Sequence, residues 1–180
     1  MQKCHLAVDI GASSGRVIAG FMEDEKLQLD VIHRFPNEMK KKNGHLIWDI
    51  DFLFNEIKKG IQLSTKKYKP ITIGIDTWAV DFVLLDKDYH RLTDAIAYRD
   101  HRTDEMMEKV FERIPKETIY AETGIQFQPF NTLYQLAALK EETPEVFEQA
   151  NYFLMIPDYL NFLLTGKISN EYTNATTTQL

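Results

Sequence analysis

Residues 9 to 16, Asp-Ile-Gly-Ala-Ser-Ser-Gly-Arg, carry the clearest chemical pattern in the chain. A carboxylate closes an apolar run, glycines and hydroxyls follow, and an arginine ends the stretch. Small residues from Gly11 through Ala12 to Gly15 expose successive backbone N–H groups, and such a concavity binds phosphate. Ser13 and Ser14 add hydroxyl donors, and Arg16 adds a cation that matches phosphate oxygens. Asp9 is placed to hold a magnesium ion through water, because Mg²⁺ keeps several waters and takes few carboxylates. The lysine of a P-loop and the G-x-G-x-x-G spacing of a dinucleotide site are both missing. The competing explanation is a plain hairpin turn whose Asp and Ser satisfy their own backbone.

Gly74 to Phe82, GIDTWAVDF, is the second pattern. A buried strand emerges into Asp76 and Asp81 around Trp78 and the small Ala79. A small residue beside an indole leaves room for a ligand, and aspartates accept hydrogen bonds from sugar hydroxyls. The alternative is a strand end with a core tryptophan and turn aspartates. In AYRDHRT, Arg99, Asp100, His101 and Arg102 alternate in charge and read as a structural ion-pair cluster before a catalytic one. No histidine lies at metal-ligand spacing from a second His, Cys or Glu, which disfavours zinc. No G-x-S-x-G elbow supports a serine nucleophile.

The elements that must position these residues follow from periodicity. HLAVDI and RVIAGFM are short strand-forming runs, and in LQLDVIHRF the apolar Leu27, Leu29, Val31 and Phe35 alternate with polar residues. The phosphate-like loop therefore joins strand to strand, whereas in P-loop and Rossmann proteins it opens a helix. Lys40 to Lys42, before Asn43-Gly44, read as a solvated loop tip. Leu53, Phe54, Ile57 and Ile61 lie at helical spacing, with Asp49 or Asp51 as the N-cap. ITIGID is a strand, and DFVLLDKDYHRL a hairpin pivoting on Asp86 to Asp88. Helices dominate after residue 100. Thr103 caps one whose stripe is Met107, Val110, Phe111 and Ile114, and Thr132 with Gln135 forms a capping box for the next. Thr143-Pro144 starts a short helix, and Pro157 and Gly166 bracket the last long one. The sum is an α/β fold, a mixed sheet with helical cover and no interdomain linker.

Bulk properties narrow the function classes. With 180 residues, 44% hydrophobic and 27% charged, the sequence is that of an ordinary globular protein. A net charge of −6 disfavours a nucleic-acid binder or a polybasic membrane anchor. Cys4 is the single cysteine, a small core residue in this reading, so no intramolecular disulfide forms and a reducing compartment fits. No signal peptide is visible, and no apolar run approaches the ~18 residues of a membrane span. The chain reads as cytoplasmic.

Six blocks in order, AVDIGASSGRV, IGIDTWAVDFVLLD, AYRDHRT, TGIQFQPFNTLYQL, PDYLNFLLTGK and EYTNATTTQL, resemble the FGGY family of carbohydrate kinases, in its L-rhamnulose branch. The resemblance implies ribonuclease H-like (actin/hexokinase-like ATPase) domains that close around ATP and sugar. It implies that Ala12, Ser13, Ser14, Gly15 and Arg16 bind the phosphates of ATP and that Asp9 supports Mg²⁺. Ala79 falls where this branch usually carries a sugar-contacting glycine, and Phe130 where related kinases set an aromatic ring against the sugar. Trp78 and Asp81 complete the substrate-side candidates. The implied reaction moves the γ-phosphoryl group of ATP to the 1-hydroxyl of L-rhamnulose, in L-rhamnose catabolism. The family's catalytic aspartate lies downstream, nothing before Leu180 matches its motif, and neither Asp76 nor Asp81 is assigned that role. Residues 1–180 are thus expected to be an incomplete N-terminal domain, inactive alone, with the second domain absent. A non-catalytic sugar- or nucleotide-binding module and a kinase for another ketose are the alternatives. A dehydrogenase would need a helix directly after residue 16.

Overall fold

The computed structural model describes residues 1–180. In chain order the strands are β1 (Lys3–Ile10), β2 (Ser14–Glu23), β3 (Lys26–Pro36), β4 (Met39–Lys42), β5 (His45–Trp48), β6 (Lys69–Asp76), β7 (Phe82–Leu85), β8 (Ala95–Ile96) and β9 (Tyr152–Met155). The helices are α1 (Ile50–Thr65), α2 (Met106–Phe111), α3 (Lys116–Thr123), α4 (Thr132–Glu142), α5 (Pro144–Gln149), α6 (Ile156–Thr165) and α7 (Tyr172–Ala175). They pack as two compact units, Met1–Glu38 with Asp49–Trp78, and Met39–Trp48 with Ala79–Leu180.

The first unit is a four-stranded sheet in the order β3-β2-β1-β6, antiparallel except that β6 runs parallel to β1. Alternation along β1 buries Cys4, Leu6, Val8 and Ile10 on one face. Leu53 and Ile57 of α1, both fully buried, belong to the same core. Gly60 lets the helix approach: a Cβ there would lie 2.4 Å from Cγ2 of Val17. Asp49 is the N-cap, its Oδ1 accepting the Phe52 N–H at 2.9 Å. The alternation in β3 makes a strand but turns Leu27, Leu29 and Val31 outward, 63%, 65% and 42% exposed, and leaves Phe35 as the buried member of that set. The register of β2 with β3 shifts between Val31 and His33, which flips the alternation, so that Phe35 is buried and His33 bonds Glu56 of α1.

In the second unit, β4, β5 and β8 form one small sheet and β7 and β9 another. The lysine run is strand β4, and the tip is Asn43-Gly44, whose φ values of 51° and 89° suit a tight right-twisted hairpin. Asp86 does turn the chain, through Tyr89 N–H to Asp86 C=O at 3.1 Å, but only an isolated bridge links Leu85 to Arg91. The ladder partner of β7 is β9, and all four β7 residues are buried. Thr103 does not cap α2. It ends a single 3-10 turn, and α2 starts after the left-handed Glu105. Met106 and Val110 are the buried members of that helix, with Ile114 44% exposed. Nor do Thr132 and Gln135 form a capping box. Asn131 is the N-cap position of α4, and both side chains are drawn to the β7 side instead, as described below. Pro157 and Gly166 bracket α6 as the sequence predicts, with Gly166 left-handed at φ 70°.

Candidate functional site

The loop between β1 and β2 spans Gly11 to Ser13. Its N-terminal side is set by Asp9 near the end of β1, and its C-terminal side by Arg16 in register opposite Asp9. The two side chains pair, Arg16 Nε donating to Asp9 Oδ2 at 2.8 Å, each side chain 43% exposed. Neither Ala12 nor Ser13 has a positive φ, so the turn is not one of the tight hairpin types that close strands on their own. Gly11 N–H donates to Ser14 C=O at 2.9 Å, without a bond back from Ser14 N–H to the Gly11 carbonyl. That carbonyl instead accepts Nδ2 of Asn37 at 2.8 Å, and the backbone N–H of Asn37 donates to Ser13 C=O at 3.0 Å. Ser13 and Ser14 are exposed and Ala12 is half-buried. Gly15 is buried, and a Cβ on it would meet the Phe35 ring at 2.3 Å, so packing alone requires glycine there.

In the second unit the chain enters β7 through a strained turn. Ala79 and Val80 are both left-handed, with φ of 61° and 56°, and Asp81 N–H donates back to the Ala79 carbonyl at 2.7 Å. Consecutive left-handed residues without glycine are costly and persist only where the surroundings over-determine them. The surroundings do so. Thr132 Oγ1 donates to the Val80 carbonyl at 2.7 Å, and Gln135 Nε2 reaches the same carbonyl at 3.3 Å, Asp81 Oδ1 at 2.9 Å and the Phe130 carbonyl at 2.9 Å. Asp81, fully buried, also accepts Trp48 Nε1 at 2.6 Å and the Tyr98 N–H at 3.1 Å on Oδ2. Arg102 Nη2 donates to Gln135 Oε1 at 2.8 Å. Burial pulls the Arg102 guanidinium below its usual range, opposed by the charges of Asp81 and Asp100.

Around this network the rings of Trp48, Tyr98 and Phe130 adjoin, with centroids 6.3 Å and 5.7 Å apart along the series. Asp100, read as one member of an ion-pair cluster, holds the small sheet instead. It accepts the Leu46 and Arg102 N–H groups and His45 Nδ1. Burial raises its pKa, but those donors outweigh burial and leave it lowered.

Of the sequence candidates, Asp9 and Ala12 to Arg16 lie together in the first unit. Trp78 ends that unit and is half-buried, while Asp76 stands opposite Asp9 in the β1–β6 register and is exposed. Ala79, Asp81 and Phe130 are joined in the second unit through Gln135. Asp81 is enclosed, with its oxygens engaged by protein donors, whereas Ala79 and Phe130 retain accessible surface. Trp48, Tyr98 and Asn37 carry no sequence signal for the site, and Gln135 is read there only as part of a capping box. The one signal for Gln135 is a polar residue on the buried stripe of α4, which capping-box spacing explained away.

The N-terminal domain of the FGGY family of carbohydrate kinases matches residues 4–180. The chain belongs to that family. It is 64% identical over 181 residues to a rhamnulokinase of Oceanobacillus iheyensis, covering 100% of this chain and 38% of that one. It is 50% identical over 177 residues to a rhamnulokinase of Bacillus subtilis, covering 98% and 36%. The chain thus spans 36–38% of the length of these relatives. Among solved structures, a ligand-bound xylulose kinase of Lactobacillus acidophilus superposes with a TM-score of 0.85 at 24% identity, covering 98% of this chain and 36% of that one. Plasmodium falciparum glycerol kinase with ADP does so with a TM-score of 0.78 at 23% identity, covering 99% and 38%. At such identities the likeness speaks for the fold, the ribonuclease H-like α/β fold expected from the sequence. No helix is long and apolar enough to cross a membrane.

Proposed function

We propose that this chain is the N-terminal part of a cytoplasmic kinase that transfers the γ-phosphoryl group of ATP to the 1-hydroxyl of L-rhamnulose. The observation that carries the reading is the β1–β2 loop, whose Gly11 and Ser13 carbonyls are tied back to Asn37 so that the Ala12 and Ser14 N–H groups and two exposed hydroxyls remain for an anion. The names of relatives at 64% and 50% identity support rhamnulose as the acceptor.

The donor set fits Mg·ATP: an exposed serine pair, a half-exposed carboxylate and a guanidinium within one loop and its flanks. Bound Mg·ATP supplies the phosphoryl group and a metal charge that offsets the negative charge on the phosphates. Asp9 would hold the metal, through water. The Ala12 and Ser14 N–H groups and the Ser13 and Ser14 hydroxyls would hold phosphate oxygens, and Arg16 would neutralise charge that develops on transfer. On the sugar side, the turn offers the Ala79 and Val80 N–H groups, its carbonyls being engaged within the protein, and Phe130 offers an apolar ring face. Asp81 positions that turn, the Trp48 indole and the Tyr98 backbone from beneath. No carboxylate in this chain is given the part of the base; in this reading that group comes from the remainder of the full protein, and the 180 residues alone do not turn over.

The test is ADP release with Mg·ATP and L-rhamnulose, L-fuculose or D-xylulose, on the complete natural protein and on this chain. Release by the complete protein alone, fastest with L-rhamnulose, is the expected result. Turnover by the 180 residues refutes the fragment reading, and a preference for another ketose refutes the substrate. Sugar binding without ADP release by either protein leaves a non-catalytic binding module.

A further inference from the structure

We propose that Asn37 is a positioning residue for the phosphate loop, a role that rests on the kinase reading above. Asn37 directly follows β3, lies in a different part of the sequence from the loop, and is 2% exposed. Its side chain holds the Gly11 carbonyl at 2.8 Å and its backbone N–H holds the Ser13 carbonyl at 3.0 Å. A trans peptide points its C=O and its N–H in opposite directions. Fixing the Gly11 carbonyl on Asn37 therefore aims the Ala12 N–H away from Asn37, and fixing the Ser13 carbonyl does the same for the Ser14 N–H. The two donors are oriented before any anion arrives.

The side-chain bond also prevents a competing closure. In an ordinary two-residue hairpin the Ser14 N–H would donate to the Gly11 carbonyl, and that donor would be lost to a ligand. Here the Asn37 carboxamide holds that carbonyl toward itself and away from the Ser14 N–H, and the turn stays open. Asn37→Ala frees it. Asn37→Asp keeps the shape but, once ionised, has no N–H to donate and sets a negative charge beside the loop.

The experiment uses the complete natural protein, with steady-state kinetics in both substrates and direct calorimetric titration with tripolyphosphate. One lost hydrogen bond corresponds to a change of roughly three- to tenfold. Asn37→Ala should raise the KM for ATP and the tripolyphosphate Kd by that factor, and Asn37→Asp by more. The KM for the sugar should stay within twofold. Equal changes in both KM values, or a lower melting temperature with unchanged ATP and tripolyphosphate affinity, would mean that Asn37 only supports the fold, and the proposal falls. Asn37→Asp, isosteric with the native residue, answers the question if the alanine variant does not fold. If the wild-type protein releases no ADP, the kinase reading fails on that result. If it also does not bind tripolyphosphate, the assignment of Asn37 fails with it.

Discussion

Asp81→Asn changes one atom at the centre of the second unit, and its cost can be worked from the contacts. Asp81 Oδ2 accepts from Trp48 and Tyr98, and Oδ1 from Gln135. An asparagine keeps the first pair if its remaining oxygen faces Trp48 and Tyr98, and then its NH₂ faces the NH₂ of Gln135. Gln135 cannot simply flip. Its Nε2 also serves the Val80 and Phe130 carbonyls, and its Oε1 accepts from Arg102. One charge-assisted bond, worth about 1.5–3 kcal/mol, becomes a donor–donor contact. Arg102, 9% exposed, loses a compensating charge as well. The donor–donor contact together with the lost Coulombic compensation for Arg102 gives an expected loss of about 3 kcal/mol. At a slope of roughly 2–3 kcal/mol per molar, the urea midpoint should fall by about 1–1.5 M, read by tryptophan fluorescence. Adding Arg102→Met should recover more than about 1 kcal/mol relative to the sum of the single changes. A midpoint within 0.2 M of wild type, or strict additivity, refutes the network.

Ala79→Gly removes the left-handed penalty at φ 61°, partly offset by greater chain freedom when unfolded. The expected outcome is a gain of up to about 1 kcal/mol in chemical denaturation, and a loss would show that the methyl group packs usefully. Asp158 in α6 is 5% exposed, with Oδ2 lacking a partner. Burial raises its pKa and the charge of Glu171 adds to this, against a backbone N–H that lowers it. A raised carboxyl favours the folded state while protonated, so its penalty sets in as pH rises through the ordinary carboxylate range. Asp158→Asn should therefore stabilise by on the order of 1 kcal/mol at pH 7 and hardly at all at pH 4, checked by melting curves across that interval.

Local chemistry determined much of this protein before any packing is considered. Alternation and turn residues specify β1 to β3 and the strand-to-strand loop, Asp49 specifies the start of α1, and Pro157 with Gly166 specifies α6. Six ordered blocks carry the family, because long runs of side chains cannot match by chance. What stayed illegible is whatever depends on partners distant in sequence. Thr132 and Gln135 have capping-box spacing, yet both turn to Val80 and Asp81, more than fifty positions earlier. There a buried carbonyl and a buried carboxylate need donors more than a helix end does. No shift in composition marks the crossings between the two units. Asn37 carries no motif at all. Its importance arises only because β3 delivers its amide to the Gly11 carbonyl, 26 residues away. Sequence names the groups that can donate and accept; only the tertiary structure decides which of them are buried together, and burial is what makes an unmet hydrogen bond costly enough to dictate the choice.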